Sequence, residues 1–306
     1  MKKLNKLAIL LVACASPVFA NDWEPSKNIE WVNTSSAGGG TSIFTQSALE
    51  IIKNKGLVDE NIIVNYKTDG GGAIGRRDVA MKRSKGHVLL TFNYGDLKPY
   101  IEVEGGQIEN FTPLAVLASD SQVILTRSDS GYKNIDQLLS AMKTDERIMV
   151  GGSKSDDEAI YTDLKNKVGG NVEYIRSNST AEALTLLLGG HVDIAIAKPA
   201  ASLDLVTSGE LVPLVSTGEV RFTEPFDTPT LKEKGYDISY NIWRGVVGPK
   251  NMPKEAAEYW SEVLVQVANS PEWKENYISK FMLQPVNMDM QQAYTFMYEQ
   301  ADEMKK

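Results

Sequence analysis

The stretch NIEWVNTSSAGGGTSIFTQSALEIIKNKG, residues 28–56, decides the fold. Asn28 to Thr34 has the residue types of a strand, and it runs into Ser35-Ser36-Ala37-Gly38-Gly39-Gly40. A helix follows from about Thr41 or Ser42, with Phe44, Ala48, Ile51 and Ile52 on one face and Gly56 placed to stop it. The pattern then repeats: strand Asn61 to Lys67, glycine turn Asp69 to Gly72, helix Ala73 to Lys82, strand Val88 to Asn93. Further on, helices at Ile135–Lys143, Asp157–Lys167 and Ala181–Leu188 alternate with strands at Arg147–Val150, Val172–Ile175 and Val192–Ala197. Alternation over short connections means βαβ units, hence an α/β fold with mostly parallel sheets. Near the end Pro253 opens a helix with Ala256, Trp260, Val263, Leu264 and Val267 on one stripe. Ser270-Pro271 starts the next as N-cap and N1, and Asp289 starts a last one.

The 306 residues allow two domains with large cores, and no Pro-rich linker divides them. A two-domain chain without a linker implies a discontinuous first domain crossed by two hinge strands, placed near Ser121–Val123 and Ser239–Trp243. The single Cys excludes a disulfide framework or a multi-thiolate metal site, and two His, at 87 and 191, argue against a His-rich zinc site. A net charge of −8 argues against nucleic acid as a partner.

The first twenty residues, MKKLNKLAILLVACASPVFA, read as an export signal. Lys2, Lys3 and Lys6 form the basic region, Leu7 to Ala15 the apolar region, and Val18-Phe19-Ala20 the cleavage site. Removing the three lysines takes the charge from −8 to −11. Leu11-Val12-Ala13-Cys14 also fits a lipobox, with Cys14 acylated; Pro17 followed by Val-Phe-Ala favours simple cleavage. Either route places the protein outside the cytoplasm.

Two glycine loops in succession follow a strand and precede a helix. Glycine there lets backbone N–H groups face the crevice, and the helix N-terminus adds partial positive charge, which suits an anion. Ser35, Ser36, Thr41 and Ser42 add hydroxyl donors. The plain alternative is that the glycines only permit tight turns. Gly70-Gly71-Gly72-Ala73-Ile74-Gly75 also matches a dinucleotide fingerprint, with Asp96 about twenty residues on. It falls in the second βα unit of an exported chain, where nicotinamide cofactors are scarce, so no cofactor is expected. No Ser-His-Asp set can be assembled from two His and no G-x-S-x-G elbow occurs, so the reading is a binding protein and not an enzyme.

The ordered set IEWVNTSSAGGGTS at 29–42, DGGGAIG at 69–75, NFTPLAVLAS at 110–119, ALTLLLGGHVDIAIA at 183–197, SGELVPLVSTG at 208–218, PFDTPTLKEKGYDI at 225–238 and WRGVVGPKNMPKEAAE at 243–258 resembles a known family. These are the periplasmic substrate-binding proteins of tripartite tricarboxylate transporters, the Bug or TctC family. The resemblance implies a two-lobed Venus-flytrap fold that closes on a small carboxylate and delivers it to a large and a small integral membrane subunit. No catalytic residue, metal or cofactor is expected from the residues, and a monomer is expected. The expected lobes are 21–121 with 240–306, and 122–239, after a signal at 1–20.

Carried over residue by residue, the resemblance implies that the first lobe grips the ligand through Ser35, Ser36, Gly39, Gly40, Thr41 and Ser42, through Gly71, Gly72, Ala73 and Ile74, and through Asn93. Second-lobe candidates are Ser153, Ser155, Ser177, Asn178, Ser179 and Lys198. The chain departs from the family in having Thr34-Ser35-Ser36-Ala37 in place of Pro-Phe-Pro-Pro. It has Ser42 in place of a frequent Asp, and Ala197-Lys198 in place of Asp-Asn. The site thus loses carboxylates and gains hydroxyls and a cation, from which a ligand with two or three carboxylates is expected over an amino acid. A receptor for another type of carboxylate transporter and an exported dinucleotide enzyme are the alternatives.

Several single residues have plainer readings. Ser155 begins Ser-Asp-Asp-Glu, a capping box with Glu158. Asp156 and Asp157 suit a helix start but would repel an anion. Arg76 and Arg77 read as solvated, Arg176 as a partner for a ligand or for an internal carboxylate, and Arg244 is undecided. Trp243 lines the cleft or packs the hinge, Trp260 is core, and Asp193 caps backbone N–H groups.

Overall fold

A computed structural model describes residues 23–83 and 85–305; the expected export signal, with Cys14, lies outside the described residues. Two mixed sheets, each covered by helices on both faces, make up the molecule. The chain runs β1 (Ile29–Asn33), α1 (Gly40–Lys55), β2 (Ile62–Tyr66), α2 (Ala73–Met81), β3 (Val88–Asn93), α3 (Tyr94–Glu102) and β4 (Phe111–Asp120). It then passes through β5 (Val123–Arg127), α4 (Ile135–Met142), β6 (Arg147–Gly152), α5 (Ser155–Val168), β7 (Asn171–Arg176), α6 (Thr180–Leu188), β8 (Ile194–Ala197), α7 (Pro199–Thr207) and β9 (Leu211–Ser216). It ends with β10 (Ile242–Pro249), α8 (Lys254–Asn269), α9 (Pro271–Trp273), β11 (Gln284–Met288) and α10 (Met290–Glu303).

The first sheet has the order β11-β4-β10-β3-β1-β2 and the second β7-β6-β8-β5-β9. Parallel pairing joins β1 to β2 and β3, and β6 to β7 and β8. The strands near the crossings run antiparallel to their neighbours, β10 to β3 and β4, and β5 to β8 and β9. A chain that leaves a sheet by one strand and returns by the adjacent one must reverse direction, and β4 and β10 do this, with Ile242 opposite Asp120. The sheets are therefore mixed and not mostly parallel. The chain changes sheet between Asp120 and Val123 and returns between Ser216 and Ile242.

Successive residues of β1 serve opposite cores, as the period of two requires. Trp31 packs with Phe44, Leu89, Trp260 and Leu264 under α1 and α8, while Val32 packs with Leu90, Phe92, Trp243 and Met297 under α2, α3 and α10. In the second sheet Ile124 and Ile148 face Leu138 and Ile160, and Leu125 faces Leu184 and Leu187. All of β3 and β10 is buried, whereas β2, at the sheet edge, has exposed positions. Local signals set the helix ends. Gly56 takes the left-handed conformation (φ 59°) that stops α1, the Ser270 hydroxyl accepts from the Trp273 N–H, and Asp289 forms a capping box with Gln292. No helix among the described residues is long and apolar enough to cross a membrane.

Candidate functional site

Four helices start where strands end and point their N-termini at the space between the two sheets. These are α1 after β1, α3 directly after β3, α5 after β6 and α7 directly after β8. Their N-cap residues are Gly39, Asn93, Lys154 and Lys198, and none of the four makes a side-chain cap. Unsatisfied first-turn N–H groups give each end about half a positive charge. Ser35, Gly40, Thr41 and Asn93 from one side and Ser153, Lys154, Asp156, Thr180 and Lys198 from the other line one small cavity, with Ile242 and Arg244. Its volume is about 10 Å³, room for roughly one water molecule. A lysine at an N-cap opposes both the preference for a short acceptor there and the dipole, and this site has two.

The charges form three buried groups. Lys198 Nζ lies 2.7 Å from Asp156 Oδ2 and also pairs with Asp157 Oδ1. Gln122 Nε2 donates to both carboxylates, at 2.7 and 3.2 Å, and the Ser153 N–H and hydroxyl donate to Asp157 Oδ2, each at 2.8 Å. Burial pushes the Lys198 ammonium down, but the two aspartates outweigh it and hold its pKa above the ordinary 10.5. Burial likewise pushes Asp156 up, and Lys198 outweighs it, so its carboxyl titrates below 3.8.

The second group spans the cleft. Lys154 Nζ donates to Asp96 Oδ1 at 2.7 Å and to Thr34 Oγ1 at 2.9 Å. The same Asp96 oxygen accepts from Arg76 Nη1 at 3.0 Å and from the Thr34 hydroxyl at 2.7 Å. For Lys154 burial wins over the attraction of Asp96, and its pKa falls below 10.5. In the third group Arg244 donates from Nε to Asp120 Oδ2 at 3.1 Å and from Nη2 to the same oxygen. Burial opposes its charge, yet Asp120 holds its pKa above the ordinary 12.5. Arg244 Nη1 makes no hydrogen bond to a described residue, and the guanidinium lies so close to α1 that a Cβ on Gly40 would sit 2.7 Å from Nη2.

Of the residues singled out from sequence, Ser35, Gly40, Thr41, Asn93, Ser153 and Lys198 meet at the cavity. Gly39 caps α1 beside them. The others go elsewhere. Ser42 is hydrogen-bonded to the Tyr66 hydroxyl at 2.8 Å and faces an outer groove with Gln46. Ser36 reaches across the cleft rim to Glu182 at 3.1 Å. Ser179 caps α6, accepting from the Glu182 N–H at 3.3 Å, while the Ser177 N–H donates to the Gly152 carbonyl at 2.8 Å and Asn178 is exposed. The second glycine loop does not reach the cavity. Gly71 gives its carbonyl to Arg76 at 3.2 Å, Gly72 sits against Thr34, Ala73 begins α2, and Ile74 is 58% exposed.

Several plainer readings are corrected or decided. Arg76 is buried, not solvated, because Asp96 and Glu104 enclose its guanidinium. The Ser155–Glu158 capping box does not form. The helix starts one residue earlier, with Lys154 as N-cap, and the Ser155 hydroxyl instead donates across the cleft to the Gly95 carbonyl at 3.1 Å. Glu158 pairs with Arg176 at 3.2 Å. Asp156 and Asp157 face Lys198, so the cation expected to be free for ligand has partners within the protein. Trp243 packs against Phe92 and Phe296. Asp193 accepts from the Met149 N–H at 2.8 Å. Asp96, at the dinucleotide spacing, is committed to Arg76, Thr34 and Lys154. Lys154, Thr180 and Thr34 were not singled out from sequence; the signal available for Lys154 was a lysine directly before a helix start.

Residues 43–306 match the model of the tripartite tricarboxylate transporter family receptor, TctC. The chain belongs to this family. A TctC-family receptor is a binding protein and not an enzyme. The chain is similar to the periplasmic binding protein BugD, with a TM-score of 0.84 and 24% identity over 92% of this chain and 96% of that one. It is also similar to MatC from Rhodopseudomonas palustris with bound malate, with a TM-score of 0.81 and 18% identity over 92% and 97% of the two chains. A UPF0065 protein from the TAR-I ttuE-ttuC' intergenic region of Agrobacterium vitis is 23% identical over 295 residues, 93% of this chain and 84% of its own length.

Proposed function

We propose that this TctC-family receptor captures a small dicarboxylate or tricarboxylate in the periplasm and hands it to the large and small membrane subunits of a tripartite tricarboxylate transporter. The observation that carries the reading is the convergence of four helix N-termini without side-chain caps, together with Lys154, Lys198 and Arg244, on one cavity. Oriented N–H groups and charge-assisted donors in a dry site are what a carboxylate needs. One carboxylate would lie at Gly40 and Thr41 beside Arg244, and a second against Lys154. Malate in the similar MatC is a ligand of this chemistry. The lobes are assigned to 21–121 with 240–306 and to 122–239, export to residues 1–20, and the working unit to one chain. Closure about the two crossings would present the face that the membrane subunits read.

The test is thermal unfolding against mono-, di- and tricarboxylates, acidic amino acids and NAD. A ligand present at one hundred times its dissociation constant adds about 2.7 kcal/mol, a rise of roughly 5–10 °C at a few degrees per kcal/mol. A rise confined to related di- or tricarboxylates is expected. A rise with NAD alone, or with monocarboxylates alone, overturns the reading. Genes for a large and a small membrane subunit beside this one separate the tripartite system from another carboxylate transporter.

A further inference from the structure

The contacts that cross the cleft are unequal. At the rim, the Ser35 hydroxyl and Ser36 N–H reach the Asn178 carbonyl at 3.4 Å each, and the Ser36 hydroxyl reaches Glu182 at 3.1 Å in an exposed position. Deeper, Lys154 and Ser155 on the second sheet's side meet Asp96 and Gly95 on the first. Among the described residues, only this inner contact is a buried ion pair across the cleft. It is also asymmetric. Asp96 keeps Arg76 as a counter-ion on its own side, and Arg76 is held further by Glu104 Oε1 at 3.0 Å from Nε. Lys154 has no other ion pair among the described residues, because Asp156 and Asp157 beside it are taken by Lys198. Parting the lobes therefore costs Asp96 little and leaves Lys154, at a helix N-terminus, as an unpaired cation facing the cleft.

We propose that Lys154 is an exchangeable latch, whose ammonium draws the lobes together through Asp96 and passes to the second carboxylate of a dicarboxylate when one binds. With Lys154 on Asp96 and Thr34, the cavity of about 10 Å³ is too small for such a ligand. Entry then requires the lysine to move, and its charge is matched again only by an anion. A monocarboxylate gripped at Gly40 and Arg244 would bring no second anion to pair with the freed ammonium. The exchange half of the proposal rests on the carboxylate reading above; the latch half does not.

Spin labels at exposed positions of the two sides, Asp69→Cys and Thr162→Cys in a Cys14→Ala background, report lobe separation without added ligand. Isothermal titration with succinate and with butyrate reports the exchange. Lys154→Met should lengthen the distance between labels and weaken succinate about tenfold or more, with butyrate changed less than about threefold. Lys154→Arg should restore most of both. Lys154→Gln, which keeps a donor for Thr34 without charge, serves if the Met variant folds poorly, with the same outcomes expected. An unchanged distance overturns the latch, and equal losses for both acids overturn the exchange. If the native chain binds neither acid, the carboxylate reading and the exchange fall together, while the distance comparison still upholds or removes the latch.

Discussion

Arg244 and Asp120 meet on a diagonal between the two strands next to the crossings, with Arg244 Nε 3.1 Å from Asp120 Oδ2. Asp120 is the last residue of β4 before the chain leaves the first sheet, and Arg244 is the third of β10 after it returns. Both are buried, so the pair fixes the base of the hinge and aims a guanidinium at the N-terminus of α1. Arg244→Ala strands a buried carboxylate and should cost about 3–5 kcal/mol in denaturant unfolding. Arg244→Lys keeps the charge and loses the fork, so it should recover part of the stability and little of the carboxylate affinity. Equal recovery of both would remove Arg244 from the binding site.

Lys198 was expected to be a ligand cation, and the structure surrounds it with Asp156 and Asp157. Its loss should therefore appear first in stability. Lys198→Met is expected to cost about 3–5 kcal/mol, because two buried carboxylates are left without a counter-charge. The double variant with Asp157→Asn should be more stable than Lys198→Met alone, which a double-mutant cycle in urea measures. If Lys198→Met leaves the unfolding midpoint unchanged and abolishes binding, the cation serves the ligand directly.

What could be read from the chain divides by distance in sequence. Helix ends were legible because their signals are local: Gly56 needs only its own left-handed φ, and Ser270 and Asp289 cap residues three positions on. The first glycine loop was legible for the same reason. The strands β4 and β10 gave no alternation, being buried nearly throughout, and their reversed direction depends on a crossing that no local pattern marks. Ser42 differs from Thr41 by one residue but by about 100° around the helix, which sends it to Tyr66 and away from the cavity. Lys154 could not be tied to the cleft because Asp96 lies 58 positions earlier, and Asp96 had been read only against a nucleotide spacing.

Acid stability should depend on an edge contact far from the cleft. Burial pushes the Glu30 carboxyl up, but hydrogen bonds from Lys82, Lys67 and Asn65 outweigh it and lower its pKa from 4.5 to about 2. A group depressed in the folded state adds stability above its unfolded pKa and loses it as pH falls to the folded value. The contribution of Glu30 is therefore full above pH 4.5 and gone near pH 2. Because the site is partly open to solvent, screening limits it to about 1 kcal/mol or less. Glu30→Gln should lower the urea midpoint at pH 7 and merge with the native curve near pH 2; a constant gap across that range would show that the loss is not electrostatic.

Two loop glycines, Gly40 at the cavity wall and Gly72 away from it, should fail in different ways. Gly72 has φ 88°, and a Cβ there would meet the Thr34 Cβ at 2.7 Å and the Thr34 carbonyl oxygen at 2.9 Å. Gly72→Ala thus combines a left-handed backbone with a clash against main chain, and about 2–3 kcal/mol of stability should be lost. Gly40 has ordinary helical geometry, and the Cβ of an alanine would press on Arg244 Nη2, the end of a long side chain. Gly40→Ala should cost little in unfolding, since alanine favours a helix, while moving the guanidinium and narrowing the approach to the α1 N–H groups. Carboxylate affinity is expected to fall about tenfold or more with the unfolding midpoint nearly unchanged. The reverse pattern, stability lost at Gly40 with affinity intact, would place the ligand away from the first glycine loop.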